Sequence, residues 1–490
     1  MRAGWSIATL FALLAVVACT LFPFHFYFSN HSFRSVNLVL IGIGTDTSPD
    51  ILGNVLLFLP FGFTLTGYLE HKRVRALAAM IAALFVSLCF SYVIEVLQLF
   101  LPGRFASLSD ILSNSAGGGL GFLCYSLWRR ENVQLAVPAY LIPASLISIP
   151  LQWSTTVRSW DARFPLMLGN EHTGNRPWRG HLFDLSILDR DISDSEVSDL
   201  YNREKPSTQI ADSLVASYQL AGSWAYQDNS GHLPLLIRRT RTRAAGDGNG
   251  VLPVTNQWVE TAGPATYLTH RLKETSRFTL IATAATEDTR QDGPARIVSL
   301  SSDTGHRNFT LGQRGSDLVF RLRNLVTGQN GARPELIVRD VFSTHARRHL
   351  VITYDGLDLL AYVDGVRSSH AIRFGLGAAA FAPLFGRNPR AFYVYCILYY
   401  AIVFLPAGML MSLAGKALRQ QPLRILVLAA GIAAYSLSLE AILVTASGRV
   451  FSAPNVLWGL MFATAAVVTC ELTRSSELSC LAPTKRDPNG

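Results

Sequence analysis

The chain has 490 residues and a formal charge of +9, with 49% apolar and only 16% charged residues. A soluble protein usually carries about a quarter charged residues, so the composition excludes a wholly soluble protein. The basic excess does not indicate a nucleic-acid partner: residues 152–390 hold 28 Lys+Arg against 24 Asp+Glu without a basic block, and much of the remaining positive charge flanks hydrophobic segments, where it orients them.

Residues 1–151 and 391–470 are oily, whereas 152–390 have ordinary soluble composition. A stretch of about 240 residues is long enough to bury its own core. A spanning helix needs roughly 20 mainly apolar residues. In chain order the candidates are 4–24, 51–69, 76–100, 109–127 and 133–152, then 391–411, 423–446 and 454–470. The fifth, VQLAVPAYLIPASLISIPLQW, is the weakest. Pro138, Pro143 and Pro150 each remove a backbone donor, which membrane helices tolerate when neighbours satisfy the freed groups.

With the N-terminus inside, the short inner loops hold twelve basic residues, among them Arg2, Lys72, Arg73, Arg75, Arg129 and Arg130. The short outer loops hold Arg34, Arg104 and Arg449. This bias predicts a multi-pass protein with both termini cytoplasmic and the soluble stretch outside. Dropping the fifth helix would turn the KALRQQPLR loop outward, against the bias. Cys19 has two readings that stay open. It is an ordinary residue of the first helix, or the lipidated cysteine of a lipoprotein-type signal ending Val16-Val17-Ala18-Cys19. The soluble stretch contains no cysteine and needs no disulfide.

The first helices carry polar residues that a purely structural span does not need. Asp50 and Asn54 lie four apart at the start of the second helix. Ser91, Glu95 and Gln98 lie in the last third of the third. Pro102-Gly103 break the chain before Arg104, and Asp110 and Asn114 open the fourth helix, again four apart. In the predicted topology all of them sit near the outer interface. A charge in the bilayer is costly, so such residues face protein or water and pair. Arg104 is a partner for Glu95 or Asp110, and Asp110 suits a helix N-terminus, where its carboxylate can accept free N–H groups. Gly117, Gly118, Gly119 and Gly121 would let the fourth helix pack closely. Two readings stand level: glue between helix ends, or a pocket for a polar head group or sugar.

The three motifs D-x-x-x-N-x-x-x-F-x-P-x-G at 50–62, S-x-x-x-E-x-x-Q-x-x-x-P-x-R at 91–104 and D-x-x-x-N-x-x-G at 110–117 resemble the VanZ-like family, over about residues 5–130. This is a bacterial membrane family named for a teicoplanin-resistance protein. The resemblance puts Asp50, Asn54, Glu95, Gln98, Arg104, Asp110 and Asn114 on the family's characteristic polar positions. It implies a role in the cell envelope and an inner-membrane location, without supplying a mechanism.

Within the soluble stretch, FTLIATAAT, ARIVSLSS, NFTLGQRG, DLVFRLRN, ELIVRDVF, HLVITY and LDLLAYVDGV read as seven short strands between residues 278 and 369. Their turn-rich spacing predicts an antiparallel sandwich, with Asp355-Gly356 and Asp364-Gly365 as hairpin turns. HLVITYDGLDLLAYVDGVRSS resembles the laminin-G-like, concanavalin A-like lectin/glucanase fold, as does WRGHLFDLSILDRDISDSEVSDLY at 178–201. In the latter a short helix is capped by Ser193 with Glu196 completing the box. The second phrase usually closes such a domain but here precedes the main strands, so the order is permuted or two partial domains are fused. Trp153, Trp160, Trp178, Trp224 and Trp258 are core residues or sugar-stacking platforms. Asp184, Asp189 and Asp191 form a solvated acidic turn or hold calcium; no other cofactor is expected. No glucanase-like carboxylate set occurs in the strands.

The expected architecture is a membrane α-helical bundle of about eight transmembrane helices with an inserted all-β sandwich of jelly-roll, concanavalin A-like type. Its parts are a VanZ-like four-helix domain (1–130), a fifth helix (131–152), the external sandwich (153–390), three C-terminal helices (391–470) and a cytoplasmic tail (471–490). The expected partners are the lipid bilayer and an envelope glycan or glycolipid. Three functions remain open: carbohydrate or lipid-linked sugar binding related to glycopeptide resistance; an enzyme using Glu95 and Asp110 as acid and base; and a structural tether for a protein partner.

Overall fold

The computed structural model describes residues 2–22, 24–27, 48–101, 106–130, 133–202, 208–220, 225–240, 252–253, 257–415, 418 and 420–480. Arg104 and Trp224 lie outside these residues. The chain divides into two compact units. One comprises residues 1–150, 397–443 and 451–490; the other comprises 151–396 and 444–450.

The first unit opens with helices α1 (Arg2–Leu21), α2 (Ser48–His71), α3 (Ala76–Gln98) and α4 (Leu108–Arg129), followed by α5 (Ala136–Thr155). Pro143 and Pro150 lie inside α5, which nevertheless runs as one helix. α1, α2 and α3 turn apolar side chains outward, among them Leu10, Phe11, Leu56, Ile81 and Phe85. Exposed apolar faces of this extent require a covering medium, and a bilayer supplies one. α4 differs: Ile111, Ser113, Asn114, Ala116, Gly117, Gly118 and Phe122 are all buried. It runs between α2 and α3 because its glycines remove side chains at the crossings. A Cβ on Gly118 would lie 2.6 Å from the Ala83 carbonyl oxygen, and one on Gly121 would lie 2.5 Å from that of Leu59. The expected close packing of the fourth helix is therefore present, and small residues let helix backbones meet.

Seven helices are long and apolar enough to cross a membrane among the described residues: α1, α2, α3, α5 and the three C-terminal helices given next. α4, the fourth span of the sequence reading, falls short of that apolarity because of its serines and glycines. The C-terminal helices are α10 (Pro389–Ala414), α11 (Gln421–Ser447) and α12 (Ala453–Cys480). The last extends beyond 470, so part of the expected tail is helical. Within the first unit, buried Glu440 accepts the Ser452 backbone N–H at 2.7 Å and the Asn455 amide at 3.4 Å, tying the end of α11 to the start of α12.

The second unit is all-β at its centre. Among the described residues, one sheet has eight strands in the order β12 (Leu336–Val338), β11 (Asp317–Leu322), β10 (Arg307–Gly315), β9 (Gln291–Ser301), β1 (Leu166–Leu168), β7 (Gln257–Thr261), β5 (Leu236–Thr240) and β4 (Ala225–Tyr226). The other has seven, ordered β15 (Val366–Arg373), β14 (Asp358–Val363), β13 (Arg348–Tyr354), β8 (Phe278–Thr286), β2 (Gly180–Leu188) and β3 (Leu214–Gln219), with β6 (Leu252–Pro253) paired to β2. All pairings are antiparallel. β1 (Leu166–Leu168) and β2 (Gly180–Leu188) occupy interior positions, β1 beside β9 (Gln291–Ser301) and β2 beside β8 (Phe278–Thr286). The 178–201 phrase is thus woven into the same sheets as the later strands. Of the seven predicted strands, ELIVRDVF shrinks to Leu336–Val338 (β12). Hairpins form at both Asp-Gly pairs, with Gly356 at φ 91° and Asp364 and Gly365 at φ 52° and 79°, the left-handed backbone that such turns require.

β8 is buried on both faces. Phe278 packs with Trp160, Phe309, Phe320 and Tyr354, while Ile281 joins Leu188, Val351 and Tyr362 under Val197 and Ile210. Val197 belongs to α6 (Asp194–Tyr201) and Ile210 to α7 (Thr208–Asp212); α8 (Thr266–Thr275) and α9 (Leu376–Phe385) follow later in the chain. The predicted Ser193–Glu196 capping box on α6 is formed in both directions.

Candidate functional site

The polar residues of the bundle gather at one end, where α2 begins, α3 ends and α4 begins. Ser107 is the N-cap of α4 and accepts the Ser109 N–H at 3.2 Å. Asp110 stands in the first turn, where its charge complements the helix dipole, and its Oδ1 accepts the Asn54 amide at 2.6 Å. That bond joins α2 to α4. At the cap, three residues before Asp110, the Ser107 backbone N–H donates to Glu95 Oε2 at 2.9 Å, joining α4 to α3. A turn deeper, the Asn114 amide donates to Ser91 Oγ at 2.8 Å, a second α4–α3 bond. Gln98 donates to the Thr20 carbonyl at 3.3 Å and so brings in α1.

These groups form a gradient of access. Asp50, in the first turn of α2, is exposed, and Asn54 and Asp110 are half-buried. Glu95, Ser91 and Asn114 are 1%, 0% and 2% exposed. A polar ligand would meet Asp50, Asn54 and Asp110 first. Beyond them, Asn114 Oδ1 is buried without a hydrogen-bond partner among the described residues, as is Ser87 Oγ one turn before Ser91. Buried acceptors left unmade cost roughly 1–3 kcal/mol each, so the deeper cluster has unused hydrogen-bonding capacity. The sequence reading missed Ser107 and Ser87. Ser107 was legible, since S-L-S-D ahead of an apolar run is a helix-start signature.

The sandwich residues separate rather than converge. Trp160 and Trp178 are core, with their indole N–H groups bonded to the Arg323 carbonyl and to Gln313 Oε1, each at 2.8 Å. Trp153 bonds the Ala446 carbonyl at 2.9 Å. Trp258 is half-buried, its indole N–H without a partner among the described residues. The three aspartates take different partners: Asp184 the Thr283 hydroxyl, Asp189 the Arg271 guanidinium and Asp191 that of Arg277 at 3.6 Å. Among the described residues no group of three His, Cys, Asp or Glu could hold a metal ion. Arg296 and Arg307, which the sequence reading passed over, are fully buried in neighbouring strands. Burial, and for Arg296 the charge of Arg307, pushes both guanidinium groups down from the usual arginine range, while buried Glu171 opposes the shift.

Outward apolar helices around a buried polar cluster define a multi-pass membrane protein with a polar site at one end of its N-terminal bundle. Residues 9–129 match the VanZ/LLP1 family. Across 122 residues the chain is 26% identical to Protein VanZ of Enterococcus faecium, covering 25% of this chain and 71% of that one. The N-terminal bundle is a VanZ-like domain. No solved structure matches the chain.

Proposed function

We propose that this is a multi-pass protein of the bacterial cytoplasmic membrane whose VanZ-like cluster binds the polar end of an envelope glycolipid or lipid-linked sugar. In this reading α4 is the eighth span, both termini are cytoplasmic, and the cluster and the sandwich stand on the outer side. The charge bias of the short loops supports that orientation. The sandwich is a lectin-like module that holds the attached glycan. A link to glycopeptide resistance follows only from the family's name.

The single observation that carries the binding reading is the access gradient: exposed Asp50, the half-buried Asn54–Asp110 pair, then a sealed layer in which the Asn114 side-chain oxygen has no hydrogen-bond partner among the described residues. A purely adhesive cluster gains by satisfying every buried group. An acid–base role is less supported, because Glu95 and Asp110 each already hold a structural hydrogen bond.

Native mass spectrometry of the full chain purified from its own membranes tests this. Wild type is expected to carry a discrete glycolipid adduct, and Glu95→Gln and Asp110→Asn to lose it about tenfold while staying folded. Equal adducts on all three proteins, or none on wild type, would favour adhesion. Retained adduct with lost turnover would favour acid–base chemistry.

A further inference from the structure

The opposite end of the same bundle is built differently. α2 ends at His71 and α3 starts at Ala76, and the turn between them presents Lys72 and Arg73. Three backbone bonds close it: Lys72 N–H to Tyr68, Arg73 N–H to Glu70 and Val74 N–H to Leu69, at 3.1, 2.8 and 3.0 Å. Arg73 sits at φ 62°, so its side chain leaves a sharply turned backbone. α1 begins and α4 ends beside this turn, and together they line an open cleft of about 930 Å3. Trp5, Glu70, Lys72, Arg73, Trp128 and Arg129 are among its lining residues.

The walls are aromatic. Trp5 meets Tyr125 edge-on at 5.6 Å and Trp128 at 6.4 Å, and Phe63 packs against both of these partners. A Cβ on Gly67 would lie 2.5 Å from the Trp5 ring, so the glycine is what lets the indole lie against α2. The rim is cationic: Lys72, Arg73 and Arg129 are exposed, and Glu70 is the one acid in the lining. Beside the opening, Ile7, Leu77 and Leu127 turn apolar side chains outward.

We propose that this cleft binds the phosphate head group of an anionic phospholipid. Lys supplies a point charge and Arg a two-pronged donor for phosphate oxygens. Indole rings favour the depth at which head groups lie, and the neighbouring apolar side chains give the acyl chains a surface to follow. The volume is that of a small-ligand site. A loop that was merely positive for orientation would need neither the cleft nor its indole walls.

The test is native mass spectrometry of the full chain in detergent, titrated with phosphatidylglycerol, phosphatidylcholine or inorganic phosphate. Wild type is expected to retain phosphatidylglycerol in preference to phosphatidylcholine. Lys72→Gln with Arg73→Gln should lower that retention about tenfold. Arg75→Gln with Arg130→Gln removes two charges from the same end outside the cleft lining, and should leave retention unchanged. Trp128→Leu, a change at an exposed wall residue that leaves the charge intact, should also weaken it several-fold, which keeps the test decisive if the turn variant unfolds. Equal loss from both charge pairs would overturn the site in favour of diffuse surface attraction. Displacement of the lipid by millimolar phosphate would overturn its assignment to a lipid.

Discussion

At the scale of single residues, the clearest consequence lies in the β13–β14 turn. Asp355 Oδ1 accepts the backbone N–H groups of Leu357 and Asp358 at 2.7 and 2.6 Å, yet burial, reinforced by the charge of Asp358, raises its carboxyl to about 6. The unfolded carboxyl titrates near 4. Between those values the folded chain binds more protons than the unfolded one, so stability falls as pH rises from about 4 to about 6, and the cost is fully present above that window. Asp355→Asn keeps the acceptor and removes the charge. It is expected to flatten that pH dependence and to stabilise the chain at pH 7 by about 1–2 kcal/mol, discounting the shift for partial exposure. Thermal melts of both proteins from pH 4 to 7 check this; parallel curves would contradict it. Asp355-Gly356 was legible as a turn because an Asp-Gly pair between alternating segments has few other uses. The raised carboxyl was not, because it depends on a distant segment that covers the turn: the Val450 N–H donates to the Asp355 carbonyl at 3.1 Å, and a Cβ on Gly356 would lie 2.5 Å from the Arg449 side chain. For the same reason the sequence placed Asn54 and Asp110 at one depth without revealing that they are partners.

At the scale of elements, α4 is the keystone of the N-terminal bundle. Its glycines are required by approach rather than by conformation, since a methyl group at Gly118 or Gly121 would strike the backbone of α3 or α2. Backbone cannot move aside as a side-chain tip can. Gly118→Ala and Gly121→Ala are each expected to cost about 2–3 kcal/mol or to prevent assembly, as overpacking does. Gly53→Ala has open space around it and should be neutral or gain up to about 1 kcal/mol from helix propensity. Detergent thermal melts of the three variants separate the cases; a tolerated Gly121→Ala would refute the crossing. The glycine run made close packing of this helix legible from sequence. Its low apolarity follows from the same residues, which is why a count based on hydropathy alone stops at seven. The sandwich was legible where strands alternate and turns are Asp-Gly. Interior β1 and β2 were harder, because their place between later strands is set by pairing with segments about ninety or more residues away.

At the scale of the whole molecule, the chain carries a VanZ-like N-terminal helical domain and an all-β unit, and the proposed ligand belongs to the first. The polar end of the bundle is read as a ligand site that opens at Asp50, not as a closed brace. The most direct measurement is a cryo-electron microscopy map of the full chain in nanodiscs formed from its own membrane lipids. A head group is expected against Asp50, with the Asn54–Asp110 bond opened or shared with the ligand. A well-ordered map with that bond intact and nothing bound against Asp50 or Asp110 would contradict it.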